Sequence, residues 1–264
     1  MAVILPFPVP ESESIIFNNI PDDAPVALVT GYTDLRKSIS GLTSIIELDY
    51  ATNPRSLCLF LFAGRSASRF KGLLPEGDGF LLLQKQFFSK RLVWPRVGGK
   101  TNGELWWLSR EQYSELMSGR KMTVTEGEED EIVPEPILSR LSNTLYANFL
   151  KTDIEPKAVY VITGFTDLRK SISGLSRVIT SFGKNIDDGG IFLFCGRCKD
   201  KAKMVCRDGD GYVLLTKQLF EGRYQWPSEE GEMWEISFTN LFPLLTQSAL
   251  PRSRAFGITK RGAN

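Results

Sequence analysis

The sequence predicts an α+β protein made of two tandem copies of one small unit: an N-terminal strand, one helix and an antiparallel β-meander. Three observations carry this expectation. Residues 31–42 read GYTDLRKSISGL and residues 164–175 read GFTDLRKSISGL, 133 positions apart and differing only at Tyr32 against Phe165. At an offset of 132, FLFAGR (60–65) matches FLFCGR (192–197), GDGF (77–80) matches GDGY (209–212), and Trp94-Pro95 matches Trp226-Pro227; at 128, Trp106 matches Trp234. Small shifts of offset between matched blocks are what two diverged copies of a folding unit leave behind, and so long a period exceeds that of any solenoid repeat.

Each element follows in order. PVALVT (25–30) and AVYVIT (158–163) are short apolar runs that read as strands. The repeated motif then opens a helix, with Asp34 and Asp167 as structural N-caps whose carboxylates can accept from the first free amides. Leu35, Ile39, Leu42 and Ile46 form one apolar stripe at helical spacing, and Leu168, Ile172, Leu175 and Ile179 repeat it. Gly41 and Gly174 cost this helix roughly 1 kcal/mol each against alanine, which implies close packing.

Downstream, IFLFC (191–195) turns at GRCKD into KAKMVC (201–206), where Lys201 and Lys203 alternate with apolar residues. Arg69 and Lys71 hold the matching places in the first copy. The GDG tripeptides signal hairpins leading into FLLLQKQF and YVLLTKQL, and a further strand is expected to run to each Trp-Pro. The resulting organisation is an extended segment (1–24), a first repeat (25–117), an acidic linker (118–156) with a short helix within 136–151, a second repeat (157–250) and a tail (251–264). The linker carries the acidic run EGEEDE (126–131).

With 264 residues, 42% of them hydrophobic, the chain can bury two ordinary cores. No apolar run approaches the ~18 residues of a membrane span, so no membrane partner is expected. The opening MAVILPFPVPESES has no basic start and is broken by prolines at 6, 8 and 10, unlike a secretory signal. A cytoplasmic protein with four free thiols is expected.

The net charge is only +1, but it is unevenly placed. Residues 31–96 hold ten Lys and Arg against five Asp and Glu, and residues 164–227 hold eleven against seven. The remainder holds eleven basic and nineteen acidic residues. Basic units joined by acidic connections suggest local positive surfaces.

Three features could carry function. Arg36-Lys37 and Arg169-Lys170 are expected in the first helical turn, where the helix dipole disfavours cations; their presence in both copies suits an anionic partner. A basic hairpin, Arg65, Arg69 and Lys71, matched by Arg197, Lys201 and Lys203, could line a phosphate backbone, the alternative being a solvated sheet face. Cys195-Gly-Arg-Cys198 with Cys206 resembles half of a zinc ribbon, yet the first copy has Ala63, Ser66 and Leu74 in these places, so no metal is expected. The segment GYTDLRKS also approximates a phosphate-binding Walker A loop but has arginine for its second glycine. The absence of histidine excludes Ser-His-Asp and Cys-His catalysis. Neither a catalytic residue nor a cofactor is expected.

The succession G-[YF]-T-D-L-R-K-S-I-S-G-L, FLF-x-G-R, a basic strand, [ED]-G-D-G-[FY] and R-x2-W-P resembles a transposon accessory protein. The family is the second-reading-frame (TnpB-type) protein of insertion sequences of the sixty-six family, distinct from the RNA-guided nucleases that share that label. The resemblance covers residues 25–117 and 158–245. It implies a role in transposition beside a separate catalytic transposase, in a family whose members usually consist of one such unit. Here the unit is doubled. The chain also has Lys85-Gln86-Phe87-Phe88 and Lys217-Gln218-Leu219-Phe220 where the family commonly carries Lys-Arg-Leu-Glu.

The expectation is therefore a non-catalytic accessory protein, a monomer acting as a pseudo-dimer. Its expected partners are DNA of the element ends and the transposase of the same element. A pure protein-interaction module without DNA contact is the second reading, and a phosphate-binding NTPase or nuclease the third.

Overall fold

The computed structural model describes residues 25–56, 58–96, 102–122, 158–229, 231–237, 240–245 and 259–262. It is α+β, as the sequence predicts. The expected linker helix within 136–151 lies outside the described residues.

The first half runs β1 (Val26–Val29), α1 (Ile39–Tyr50), β2 (Leu59–Ala63), β3 (Arg69–Glu76), β4 (Gly79–Phe87), β5 (Leu105–Leu108) and α2 (Arg110–Ser118). The second runs β6 (Val159–Ile162), α3 (Ile172–Ser181), β7 (Ile191–Cys195), β8 (Lys201–Asp208), β9 (Gly211–Leu219), β10 (Glu232–Ile236), α4 (Leu241–Leu245) and β11 (Thr259–Gly262). All strands among the described residues join one sheet of eleven, in the order β11-β10-β6-β7-β8-β9-β4-β3-β2-β1-β5. From β5 to β4 and from β10 to β9 the halves have the same strand order.

The β2-β3-β4 and β7-β8-β9 meanders are antiparallel as expected. One feature adds to the sequence expectation and a second overturns part of it. First, β1 lies parallel to β2, and β6 to β7, with α1 or α3 as the crossover. A parallel pair needs a long connection, and the motif helix supplies it. Second, no strand runs to Trp-Pro. Residues 90–96 and 223–229 are irregular, and the outer strands β5 and β10 follow them, antiparallel to β1 and β6. Proline lacks the N–H that a ladder requires.

The indoles explain why those segments are fixed without being strands. Trp94 Nε1 donates to the Val29 carbonyl and Trp226 Nε1 to that of Ile162, both at 3.0 Å. Pro95 and Pro227 carbonyls accept from Gly31 and Gly164, which leave β1 and β6 with φ of 77° and 69°. Glycine takes such angles without strain.

Alternation along the strands sorts the core into two faces. On one, α1 packs Ile39, Leu42, Ile45 and Ile46 on Phe60, Phe62, Leu73 and Leu82, while α3 packs Ile172, Leu175 and Ile179 on Phe192, Phe194, Val205 and Leu214. The expected stripes thus hold, with Leu35 and Leu168 at their margins. Each leucine buried in this way contributes about 2 kcal/mol. The opposite face is a single core shared by both halves, covered by α2, Trp94, Tyr224, Trp226 and α4.

The halves meet where β4 pairs antiparallel with β9, from Gly79 opposite Leu219 to Phe87 opposite Gly211. Leu83 faces Leu215 at the centre. These are equivalent positions in the repeat, so the pairing has the register of a two-fold axis. We refer to this ladder as the seam.

Candidate nucleic-acid interface

Between its strand and its helix, the repeated motif is a tethered loop. Thr33 N donates to the Ala63 carbonyl and Thr166 N to that of Cys195, both at 2.8 Å, so the loop is tied to the end of the neighbouring strand. Lys37 N reaches back to the Asp34 carbonyl, and Lys170 N to that of Asp167, each closing a turn.

The helix begins later than the sequence suggests. α1 starts at Ile39 with Ser38 as N-cap residue, and α3 at Ile172 with Ser171. Asp34 and Asp167 are therefore not helix caps, and Arg36-Lys37 and Arg169-Lys170 sit in the turn before the helix rather than in its first turn. The competing local structure is an Asx turn. Asp34 Oδ1 accepts from Arg36 N at 3.0 Å, and Asp167 Oδ1 from Arg169 N at 3.0 Å.

The same carboxylates hold the arginine side chains. Asp34 accepts from Arg36 Nε at 3.0 Å and Nη2 at 2.7 Å; Asp167 accepts from Arg169 Nε and Nη2, both at 3.0 Å. Hydrogen bonds from these arginines pull both carboxyls down to about 2. The arginine side chains nonetheless remain over 90% exposed. Each motif thus presents a fixed arginine whose charge is offset by its own aspartate, beside an exposed lysine, Lys37 or Lys170.

Glycine at the third position of each helix serves this lysine. A Cβ on Gly41 would stand 3.1 Å from Lys37 Cβ, and one on Gly174 equally close to Lys170 Cβ. The lysine stem lies along the bare helix backbone.

Lys71 and Lys203 are placed differently from the solvated lysines that their alternation suggests. Lys71 is 5% exposed, and its Nζ donates to the Lys37 carbonyl at 2.8 Å; Lys203 Nζ donates to the Lys170 carbonyl at 3.0 Å. Burial, with the Lys203 ammonium as the next cause, brings Lys71 down to about 8, and burial brings Lys203 to about 8. These lysines brace the loops from the sheet below.

Arg69 and Lys201 lie two residues before the bracing lysines on the same strands, hence on the same face. Arg65 stacks on Tyr32, 4.5 Å from the ring centroid, and donates to its hydroxyl at 3.0 Å. Arg197 stacks on Phe165 at 4.6 Å. The one difference between the motifs therefore keeps an aromatic platform under an arginine.

All ten candidate cations gather on or beside the helix-bearing face, five from each half. Register places Lys71 on β3 and Lys203 on β8, three strand spacings (roughly 14 Å) across the sheet and two residues apart along the strands, with the seam between them. On this face the seam mixes polar and apolar side chains: Gln84, Gln86, Thr216 and Gln218 stand opposite Leu214, Tyr212, Leu82 and Phe80. Two basic loops thus flank one strip.

Cys195 and Cys206 lie in the shared core on β7 and β8, where burial pushes the Cys195 thiol up to about 12 and raises that of Cys206; Cys198 is exposed in the turn. Among the described residues no three His, Cys, Asp or Glu side chains converge on a common point. No helix among them is long and apolar enough to cross a membrane.

Sequence reasoning missed the charges within the seam. Lys85, with no exposed surface, donates to Asp208 Oδ2 at 2.8 Å and to its carbonyl at 2.6 Å, and pairs with Asp210 at 2.9 Å. The two-fold-related Lys217 contacts Glu76 and Asp78. The available signal was a lysine at a core-facing position of an apolar strand, in both copies. Glu76 and Asp78 read as hairpin residues because their counter-ion lies about 140 positions away, at Lys217.

Fold and site together define an α+β sheet protein with a duplicated, braced basic loop on one face. The chain belongs to the IS66 Orf2 like protein family, whose model matches residues 24–126 and again 157–254. Membership associates it with the transposition machinery of an insertion element. The uncharacterized protein y4hO of Sinorhizobium fredii (strain NBRC 101917 / NGR234) is 40% identical over 89 residues, which are 33% of this chain and 77% of that protein. No solved structure matches.

Proposed function

We propose that this protein is a non-catalytic, cytoplasmic accessory factor of transposition that binds DNA of the element ends through its helix-bearing face, alongside the element's transposase. In this reading the chain comprises two repeats, 25–117 and 157–250, acting as a fused pair. One observation supports it above the others: two loops with exposed Lys37 and Lys170 stand on one face, each braced by a lysine that is itself committed to the fold. Bracing pre-organises a cation so that contacting phosphate costs little further ordering. Arg65 on Tyr32 and Arg197 on Phe165 extend each cluster with a flat cationic surface suited to phosphate or an exposed base. The bracing assigns Lys71 and Lys203 to loop positioning and leaves direct contact to Arg36, Lys37, Arg65, Arg69 and their equivalents Arg169, Lys170, Arg197 and Lys201.

The test is binding to element-end duplex across several salt concentrations, with Lys37→Ala/Lys170→Ala beside the parent. Affinity should fall at least tenfold and the salt dependence should flatten, because fewer counterions are released. Thermal melts should coincide. Parent protein that retains the transposase but no DNA at any salt would instead establish the protein-interaction module.

A further inference from the structure

The β4–β9 seam has a property that an ordinary internal ladder need not have: each of its edges is complementary to itself. With the two-fold through Leu83 and Leu215, the ladder and its principal contacts occur twice with the halves exchanged. Lys85 meets Asp208 and Asp210, and Lys217 meets Glu76 and Asp78. Phe88 N donates to the Asp210 carbonyl at 3.0 Å, and Phe220 N to that of Asp78 at 2.9 Å. Phe88 packs edge-on against Tyr212 at 4.9 Å, and Phe220 against Phe80 at 5.1 Å. A Cβ on Gly79 would overlap the Gln218 carbonyl, and one on Gly211 that of Gln86.

Each half carries both members of each of these pairs. The β4 edge offers Lys85 with the carboxylates of Glu76 and Asp78, and Gly79 with the chain at Gln86. Set against a copy of itself in the same antiparallel register, it would find all its partners, and so would β9. This is the defining property of an isologous interface, in which one patch serves both sides. Nine residues on each strand, two buried ammonium groups and a core continuous across the join make it a substantial one.

We propose that the seam is an isologous docking surface whose partner is a second copy of the same unit. The halves would then hold together without the chain that joins them, and each could pair with its own kind from another molecule. This inference is independent of what binds the basic loops.

The experiment starts from the full chain with a specific protease site inserted within 123–157, cut after purification and folding. Light scattering should show the cut protein retaining the mass of the intact chain, 29.6 kDa. Native mass spectrometry after prolonged incubation should then show first-half pairs and second-half pairs beside the original mixed pair. Gly79→Val/Gly211→Val should separate into halves on cutting. Should that variant fail to fold uncut, Phe88→Ser/Phe220→Ser, altered only at exposed seam aromatics, should at least speed the exchange tenfold. Halves of the parent that separate at micromolar concentration would overturn the proposal. So would mixed pairs alone after long incubation, or neither variant changing separation or exchange.

Discussion

Lys71 donates its ammonium to the carbonyl of Lys37, so a basic residue of the sheet holds in place a basic residue of the loop. Cations are thereby concentrated at one place with a division of labour: one is buried and fixed, the other exposed. The buried one bears the desolvation. Its depressed pKa is the mark of that cost.

Stability should therefore depend on pH through Lys71. Its folded value of about 8 lies below the ordinary 10.5. Between those values the unfolded chain holds a proton that the folded chain has released, so the fold gains stability as pH rises from about 8 to 10.5, and the contribution is flat below 8. The gain is at most about 3 kcal/mol. Burial of the Cys195 and Cys206 thiols acts in the opposite sense over the same range, so the test is a difference: between pH 7.5 and pH 10, urea denaturation should show the stability of the parent rising relative to that of Lys71→Met. An identical pH response in both proteins would contradict the assignment.

Removing Lys85 should be far more damaging than removing any loop cation. Lys85→Met leaves Asp208 buried without its counter-ion, a loss of about 3–5 kcal/mol. Lys85→Met/Asp208→Leu should recover most of it, since a buried pair exchanged for apolar groups is near neutral. Chemical denaturation of the two variants measures the difference. A single variant within 1 kcal/mol of the parent, on the order of an exposed pair, would mean that the seam charges are solvated.

Asp34 and Asp167 neutralise the arginines that their own motifs display. Asn in their place keeps an oxygen for the Arg36 or Arg169 amide but removes the negative charge. Asp34→Asn/Asp167→Asn should bind duplex several-fold more tightly and with a steeper salt dependence, with folding little changed. Titrating the parent toward acid should act in the same direction only near pH 2, where both carboxyls take up protons. Binding isotherms at fixed salt decide it; weaker binding by the variant would mean that the turn, not the charge, matters.

Gly41 and Gly174 separate stability from function. Alanine favours the helix by about 1 kcal/mol, yet its methyl group would press on the stem of Lys37 or Lys170. Gly41→Ala/Gly174→Ala should melt at or above the parent temperature and bind duplex more weakly. A variant improved in neither respect and unimpaired in binding would show the lysine stem to be free of the helix.

Much of the fold was legible because local signals agreed. The Leu35–Ile46 stripe, the alternation at Lys201 and Lys203, and the GDG turns each set one element by near neighbours. The helix start was misjudged because Asp34 can form an Asx turn with Arg36 as readily as it can cap, and sequence alone does not separate the two. The helix Arg110–Ser118 went unread despite its reciprocal Ser109–Gln112 cap. The parallel placement of β1 and the pairing of Lys217 with Glu76 depend on contacts far apart in the chain. At the candidate interface, the cations were identifiable as residues, but their roles were not. Lys71 and Lys203 alternate like solvated strand lysines, and only the loop packed above them turns them into braces.

The spacing of charges along β4 also limits how that strand can be paired. Its lysine stands near one end and its two carboxylates beyond the other, so a strand sliding by two residues would carry Lys85 roughly 7 Å from its acids. A strand laid in the opposite direction would bring ammonium toward ammonium. Only one alignment leaves no buried charge alone, so every other register carries the cost of an unpaired buried ion. The same ions that add little net stability to the finished protein thus set the one alignment its seam strands can share without that cost.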